Sequence, residues 1–136
     1  MAGQVMTDPM PEQQSDQQIE LGNETLIPVP SGQPVFLQDV VWNVPGPEGL
    51  AVRFRFIAPQ IARDTGTVGY EEASEDIFHL CQTFALPRLS DFGPQPTQVI
   101  ISFSDQPVPF GETAPEATQF FEAFTHQDGI CMWEIY

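Results

Sequence analysis

Apolar and polar positions alternate along residues 50–57. Leu50, Val52, Phe54 and Phe56 fall on one side of an extended chain, and Ala51, Arg53, Arg55 and Ile57 on the other. A period of two predicts a strand with one apolar face. The preceding run, Gln33 to Val44, is rich in Val, Phe, Leu and Trp, and it ends in the turn cluster Asn43-Val44-Pro45-Gly46-Pro47-Glu48-Gly49. The two runs therefore predict a hairpin. Gln98–Ser104 (QVIISFS) is mostly apolar on both faces and predicts a central strand; Ile130–Tyr136 (ICMWEIY) predicts a fourth.

Between these runs the period changes to that of a helix. Over residues 70–86, Ala73, Ile77, Leu80, Cys81 and Phe84 recur at helical spacing, with Glu71, Glu72, Glu75 and Asp76 early in the segment and Pro87 at its end. Acids in the first turns favour the positive end of the helix dipole, and proline terminates the pattern. Over residues 114–124, Ala117, Phe120, Phe121 and Phe124 form an apolar stripe, Thr113 and Glu116 have capping-box spacing, and Pro115 falls in the first turn; these features predict a second helix. The order β-β-α-β-α-β predicts an α+β fold, with a mainly antiparallel four-stranded sheet and two helices packed on one face. Residues 1–26, rich in Gln, Asp, Glu and Pro and without apolar periodicity, predict a disordered acidic tail or linker before a single α+β domain over 27–136.

Charge narrows the choice of partners. The chain has 136 residues, 19 acids against 4 Arg, no lysine, and a formal charge of −15. Nucleic acid and anionic lipid are disfavoured, because binding phosphate requires Lys or Arg. No window of eighteen residues is continuously apolar, so no membrane insertion is expected. The first residues, MAGQVMTDPMPEQQSDQQ, have neither the basic nor the apolar region of a signal peptide. The chain reads either as cytoplasmic or as a mature form given a new starting Met.

Three of the four arginines, Arg53, Arg55 and Arg63, lie within eleven positions. An anion or carboxylate clamp is one reading. Cross-strand pairing of Arg53 and Arg55 with acids such as Asp39 or Glu134 is the more economical one. Exposed pairs of that kind predict a cost of about 0–1 kcal/mol for each Arg→Ala change. The two cysteines, Cys81 and Cys131, admit a single disulfide, two buried thiols, or a metal site with His79 and His126. There is no C-x-x-C, and the His/Cys spacing does not suit a zinc module, so no metal is expected. A disulfide closing a loop of this length would stabilise by about 4 kcal/mol, and it implies an oxidising compartment. No nucleotide-binding or nucleophile-elbow motif occurs, which leaves no catalytic residue and no cofactor to assign. Phe120, Phe121 and Trp133 read mainly as core. However, a helix with adjacent Phe120 and Phe121 leaves one of them at the surface, as part of a patch for a protein partner.

Several blocks, in order, carry a resemblance: Pro30-Ser31-Gly32-Gln33, Arg53-Phe54-Arg55-Phe56-Ile57-Ala58-Pro59-Gln60-Ile61, His79-Leu80-Cys81, Ala85-Leu86-Pro87, Val99-Ile100-Ile101-Ser102-Phe103, Phe110-Gly111, residues 115–124 and Cys131-Met132-Trp133-Glu134. Over residues 27–136 the chain resembles a family of small exported proteins of unknown function from alphaproteobacteria of the Rhodobacter and Roseobacter type. The resemblance implies export and an α+β domain, and transfers no catalytic residue. The combined expectation is a periplasmic or secreted, monomeric, non-catalytic binding or envelope accessory domain. An anion binder or enzyme using Arg53, Arg55 and Arg63, and a Cys/His metal protein, are the alternatives.

Overall fold

A computed structural model describes residues 18–46, 49–89 and 95–134. Its six strands form one sheet in sequential order: β1 (Gln18–Leu21), β2 (Phe36–Gly46), β3 (Gly49–Ile57), β4 (Gln98–Ser104), β5 (Gln119–Gln127) and β6 (Ile130–Trp133). All neighbours are antiparallel except β3 and β4, which are parallel. Parallel neighbours need a crossover; the segment between them holds the helix α1 (Tyr70–Leu80). This corrects the expectation of a four-stranded, mainly antiparallel sheet with two helices: among the described residues the sheet has six strands, is mixed, and carries a single long helix.

Two sequence readings account for the correction. Residues 114–124 do not form a helix. Ala117 N–H closes a turn onto Ala114 O, and the chain then enters β5. The stripe 117, 120, 121, 124 fits a helix, but 120 and 124 are also two strand periods apart. Registry with β4 on one side (Phe120↔Phe103, Phe124↔Val99) and β6 on the other (Phe124↔Trp133) decides for the strand. Packing between neighbouring strands outweighs local propensity here. The second reading concerns the tail. Residues 1–17 lie outside the described residues, but Gln18–Leu21 pair with Trp42 to Asp39 as an edge strand, so the last part of the expected tail is not disordered. Four exposed residues, QIEL, are too few to show periodicity.

The other elements follow their sequence signals. Gln98–Ser104 is a strand at its expected bounds and lies between β3 and β5. The β2–β3 hairpin forms with a bulge at Trp42-Asn43, where the register steps from Val41 to Val44 and Asn43 adopts φ 61°. Asp128 and Gly129, at φ 56° and 79°, make the tight β5–β6 turn that Asp-Gly favours. Helix α1 continues into a π-helical turn (Cys81–Ala85) and a last turn (Leu86–Arg88). Leu86 N–H reaches Cys81 O, five residues back, and Pro87, which has no N–H to give, follows in the last turn rather than ending the helix before it.

Helix α1 covers one face of the sheet. Ala73, Ile77, Leu80 and Cys81 pack onto Val52, Phe54, Phe56, Val99, Ile101, Phe103 and Phe124, all buried. Phe84 meets Phe54 and Phe56 edge-on at 6.1 and 5.5 Å, and Phe103 meets Phe56 at 6.1 Å. Each fully buried phenylalanine contributes roughly 1.5–3 kcal/mol. The long β4–β5 connection reaches the opposite face, where Gln38 Nε2 donates to Val108 O and Phe110 lies beside Arg55.

One polar group in this core fixes the 27–35 segment. Asp76 is fully buried and accepts from Ser31 N–H (2.9 Å), Ser31 Oγ (2.5 Å) and Gln33 Nε2 (2.7 Å). Asp76→Ala leaves three donors without an acceptor, and is expected to cost about 2–4 kcal/mol. Urea denaturation checks this: the midpoint falls while the slope is unchanged.

Candidate functional site

The three expected arginine-site residues do not converge. Arg55 sits directly across from Asp39 in the β2–β3 register and makes two bonds to its carboxylate, from Nε at 2.7 Å and from the NH2 nitrogen at 2.8 Å. Their side chains are 11% and 8% exposed, so this is a buried pair, and the expectation of an exposed, nearly neutral one fails for Arg55. Arg53, on the same face, has no bond to its buried Nε and lies 5.9 Å from the Phe121 ring centroid. Burial, reinforced by repulsion from Arg55, holds its pKa below the usual arginine value. Arg63 is in the loop after β3. Its backbone N–H donates to Thr118 Oγ1 (3.0 Å) and its NH2 nitrogen to Ala117 O (3.1 Å). It borders an open cleft of about 490 Å³ that includes neither Arg53 nor Arg55.

Cys81 and Cys131 form the disulfide, both buried, with Cα atoms 6.4 Å apart. It joins the π-helical turn to β6. With both sulfurs bonded, neither serves as a thiolate ligand. Among the described residues no group of three or more His, Cys, Asp or Glu is placed to hold a metal ion. His126 Nε2 is 3.0 Å from Pro96 O. No helix among the described residues is long and apolar enough to cross a membrane.

The aromatic patch is partly assembled. Phe121 is 63% exposed and Trp133 47%, whereas Phe120 is half-buried against Tyr70, with ring centroids 5.2 Å apart. Phe121 and Trp133 line a cleft of about 390 Å³ together with Tyr70, Glu122, Ala123 and Glu134. Three elements build it. Tyr70 opens α1, and Ser74, four residues on, lies on the same helix face. Both hydroxyls donate to Glu122 Oε2, at 2.5 and 2.7 Å. Glu122 points to the helix side of β5 because it alternates with Phe121. Trp133, from β6, donates its indole N–H to Glu122 Oε1. One face of the indole stacks on Phe78 of α1, at 4.5 Å and 21°. The Tyr70 pKa is raised, first by its hydrogen bond to Glu122, so the hydroxyl keeps its proton and remains the donor. Glu134 accepts from Gln98 Nε2 at 2.8 Å. The result is a concave surface whose aromatic walls are held by packing and by one shared carboxylate.

Sequence reasoning found Phe121 and Trp133 but missed Tyr70, Ser74 and Glu122. Reading FEAF as strand rather than helix would have set Glu122 apart from Phe121 and turned it toward α1. No curated protein and no solved structure matches the chain. The model of a family of unknown function, DUF6497, matches residues 7–136, nearly the whole chain, and the protein belongs to that family.

Proposed function

We propose that the protein is an exported, non-catalytic binding domain, periplasmic or secreted, whose ligand seat is the cleft bordered by Tyr70, Phe121, Glu122 and Trp133. The observation that carries the reading is the fixed arrangement around Glu122: two side chains from α1 and one from β6 converge on one carboxylate of β5 and leave large aromatic surfaces open to solvent. Side chains already locked in place lose little freedom when a ligand docks. The cleft has no histidine or cysteine among its lining residues, so neither the commonest proton-transfer group nor a thiol nucleophile is at hand. The disulfide supports the compartment, since such bonds persist where the surroundings are oxidising. The resemblance to exported alphaproteobacterial proteins supports it too.

The test is a set of amide and indole NMR spectra of the oxidised full chain against small molecules of distinct chemistry: an alkylammonium, a neutral sugar, a carboxylate and inorganic phosphate. At least one class is expected to shift the Trp133 indole and Tyr70 signals saturably. Shifts confined to Arg63 and its neighbours, with carboxylate or phosphate, would replace this reading with an anion binder at the larger cleft.

A further inference from the structure

We propose that this cleft takes an organic cation bearing methylated nitrogen, of the quaternary ammonium class. The inference rests on the cleft being the binding seat, and adds what the seat selects. Its lining offers aromatic rings and carboxylates and no basic side chain: Tyr70, Phe121 and Trp133 with Glu122 and Glu134. Ring faces attract cations within about 6 Å of the centroid, Trp most strongly. Trp133 has one face occupied by Phe78 and is still 47% exposed, so it presents a rigid platform. Phe121 already has the Arg53 guanidinium 5.9 Å from its centroid, which leaves Trp133 and Tyr70 as the principal cation-facing rings.

The hydrogen-bonding state of Glu122 sets the kind of cation. The three groups that donate to it, the Tyr70 and Ser74 hydroxyls and the Trp133 indole, are all neutral. They leave its negative charge in place while filling most of the roughly four acceptor sites of a carboxylate. Such a group attracts positive charge but has little capacity left for new donors. A sugar hydroxyl, a primary ammonium or a metal ion would find at most about one acceptor site still open on it, fewer than such groups use. A methylated ammonium needs none, because it offers charge and apolar surface without N–H groups. The partial positive charge at the start of α1 opposes a cation, but Glu71 and Glu72 in the first turn counter it. At longer range a chain of formal charge −15 concentrates cations and repels anions.

The experiment titrates the oxidised full chain with choline and, separately, with dimethylbutanol, its neutral carbon isostere, following the Trp133 indole and Tyr70 signals. Choline is expected to bind at the cleft about tenfold more tightly than the isostere. Glu122→Gln removes the charge and keeps one acceptor oxygen, enough for the Tyr70 and Ser74 hydroxyls but not for the Trp133 indole as well; it is expected to weaken choline about fivefold and the isostere by clearly less. Trp133→Ala and, as a second variant that keeps apolar bulk against Phe120, Tyr70→Leu are each expected to weaken choline severalfold with the fold retained by circular dichroism. Equal binding of choline and isostere, or tighter binding of a sugar, at the same residues would overturn the cation and leave the seat standing. If no probe shifts Trp133 or Tyr70 at millimolar concentration, both readings fall.

Discussion

Removing the Cys81–Cys131 bond, by reduction or by the paired Cys81→Ala and Cys131→Ala changes, is expected to lower stability by about 4 kcal/mol and Tm by roughly 10–20 °C. The bonded residues are 50 apart in sequence, and the loop between them contains all of β4 and β5. Untying that loop returns its closure entropy to the unfolded chain, which accounts for the magnitude. The loss falls unevenly on the native state. β6 has four residues, one neighbouring strand (β5), and Met132 and Trp133 about half exposed; the bond is its covalent tie to the helix, beside the Phe78 stack and the Gln82 side chain, which accepts from Cys131 N–H and donates to Gly129 O. Hydrogen exchange should therefore show β6 amides losing protection before those of β3 and β4, the low-stability end of a structure opening first. Thermal melts of oxidised and reduced protein check the first statement. A Tm change under about 3 °C would mean that the bond adds almost no constraint beyond native packing. The same bond tests the compartment: in protein taken directly from its native host, both thiols should alkylate only after reduction.

β3 and β4 were legible because a buried strand must either alternate or be apolar on both faces, and residues 50–57 and 98–104 do so without ambiguity. α1 was legible because its acids, core stripe and length agree; only its continuation past Leu80 in π-helical register was not. β5 was not legible because the stripe of Phe120, Phe121 and Phe124 fits a helix while Phe120 and Phe124 also fit a strand, and the deciding registry is with β4, 17 to 25 residues away, as well as with β6 across the turn. The error propagated to the site. On a helix, Glu122 and Phe121 are ordinary neighbours; on a strand they point to opposite faces, and Glu122 meets Tyr70 and Ser74 from 52 and 48 residues away. The disulfide, by contrast, needed only the placement of Cys81 on the core side of a helix and Cys131 in a strand.

Arg55→Ala is expected to cost about 3–5 kcal/mol, and Asp39→Ala a similar amount. Sequence alone indicated an exposed pair worth little, because acids are in excess over arginines. The structure reverses this for Arg55. It bonds Asp39 in a two-point geometry with both side chains about nine-tenths buried, and the Phe110 ring lies 5.2 Å from the guanidinium carbon. Loss of either partner leaves the other charge stranded away from water, and that penalty sets the magnitude rather than the attraction itself. Replacing both, as Asp39→Leu with Arg55→Met, should therefore recover most of the loss. Arg53 supplies the contrast on the same strand. Its Nε lacks a bond and its pKa is depressed by burial, so Arg53→Met removes a poorly satisfied charge while keeping an apolar stem against Phe121, and stability should change by less than about 1 kcal/mol. Chemical denaturation of the four variants decides the matter. Equal costs for Arg53 and Arg55, or a double variant as unstable as either single one, would show that the Asp39–Arg55 pair is not what holds β2 to β3 on that face.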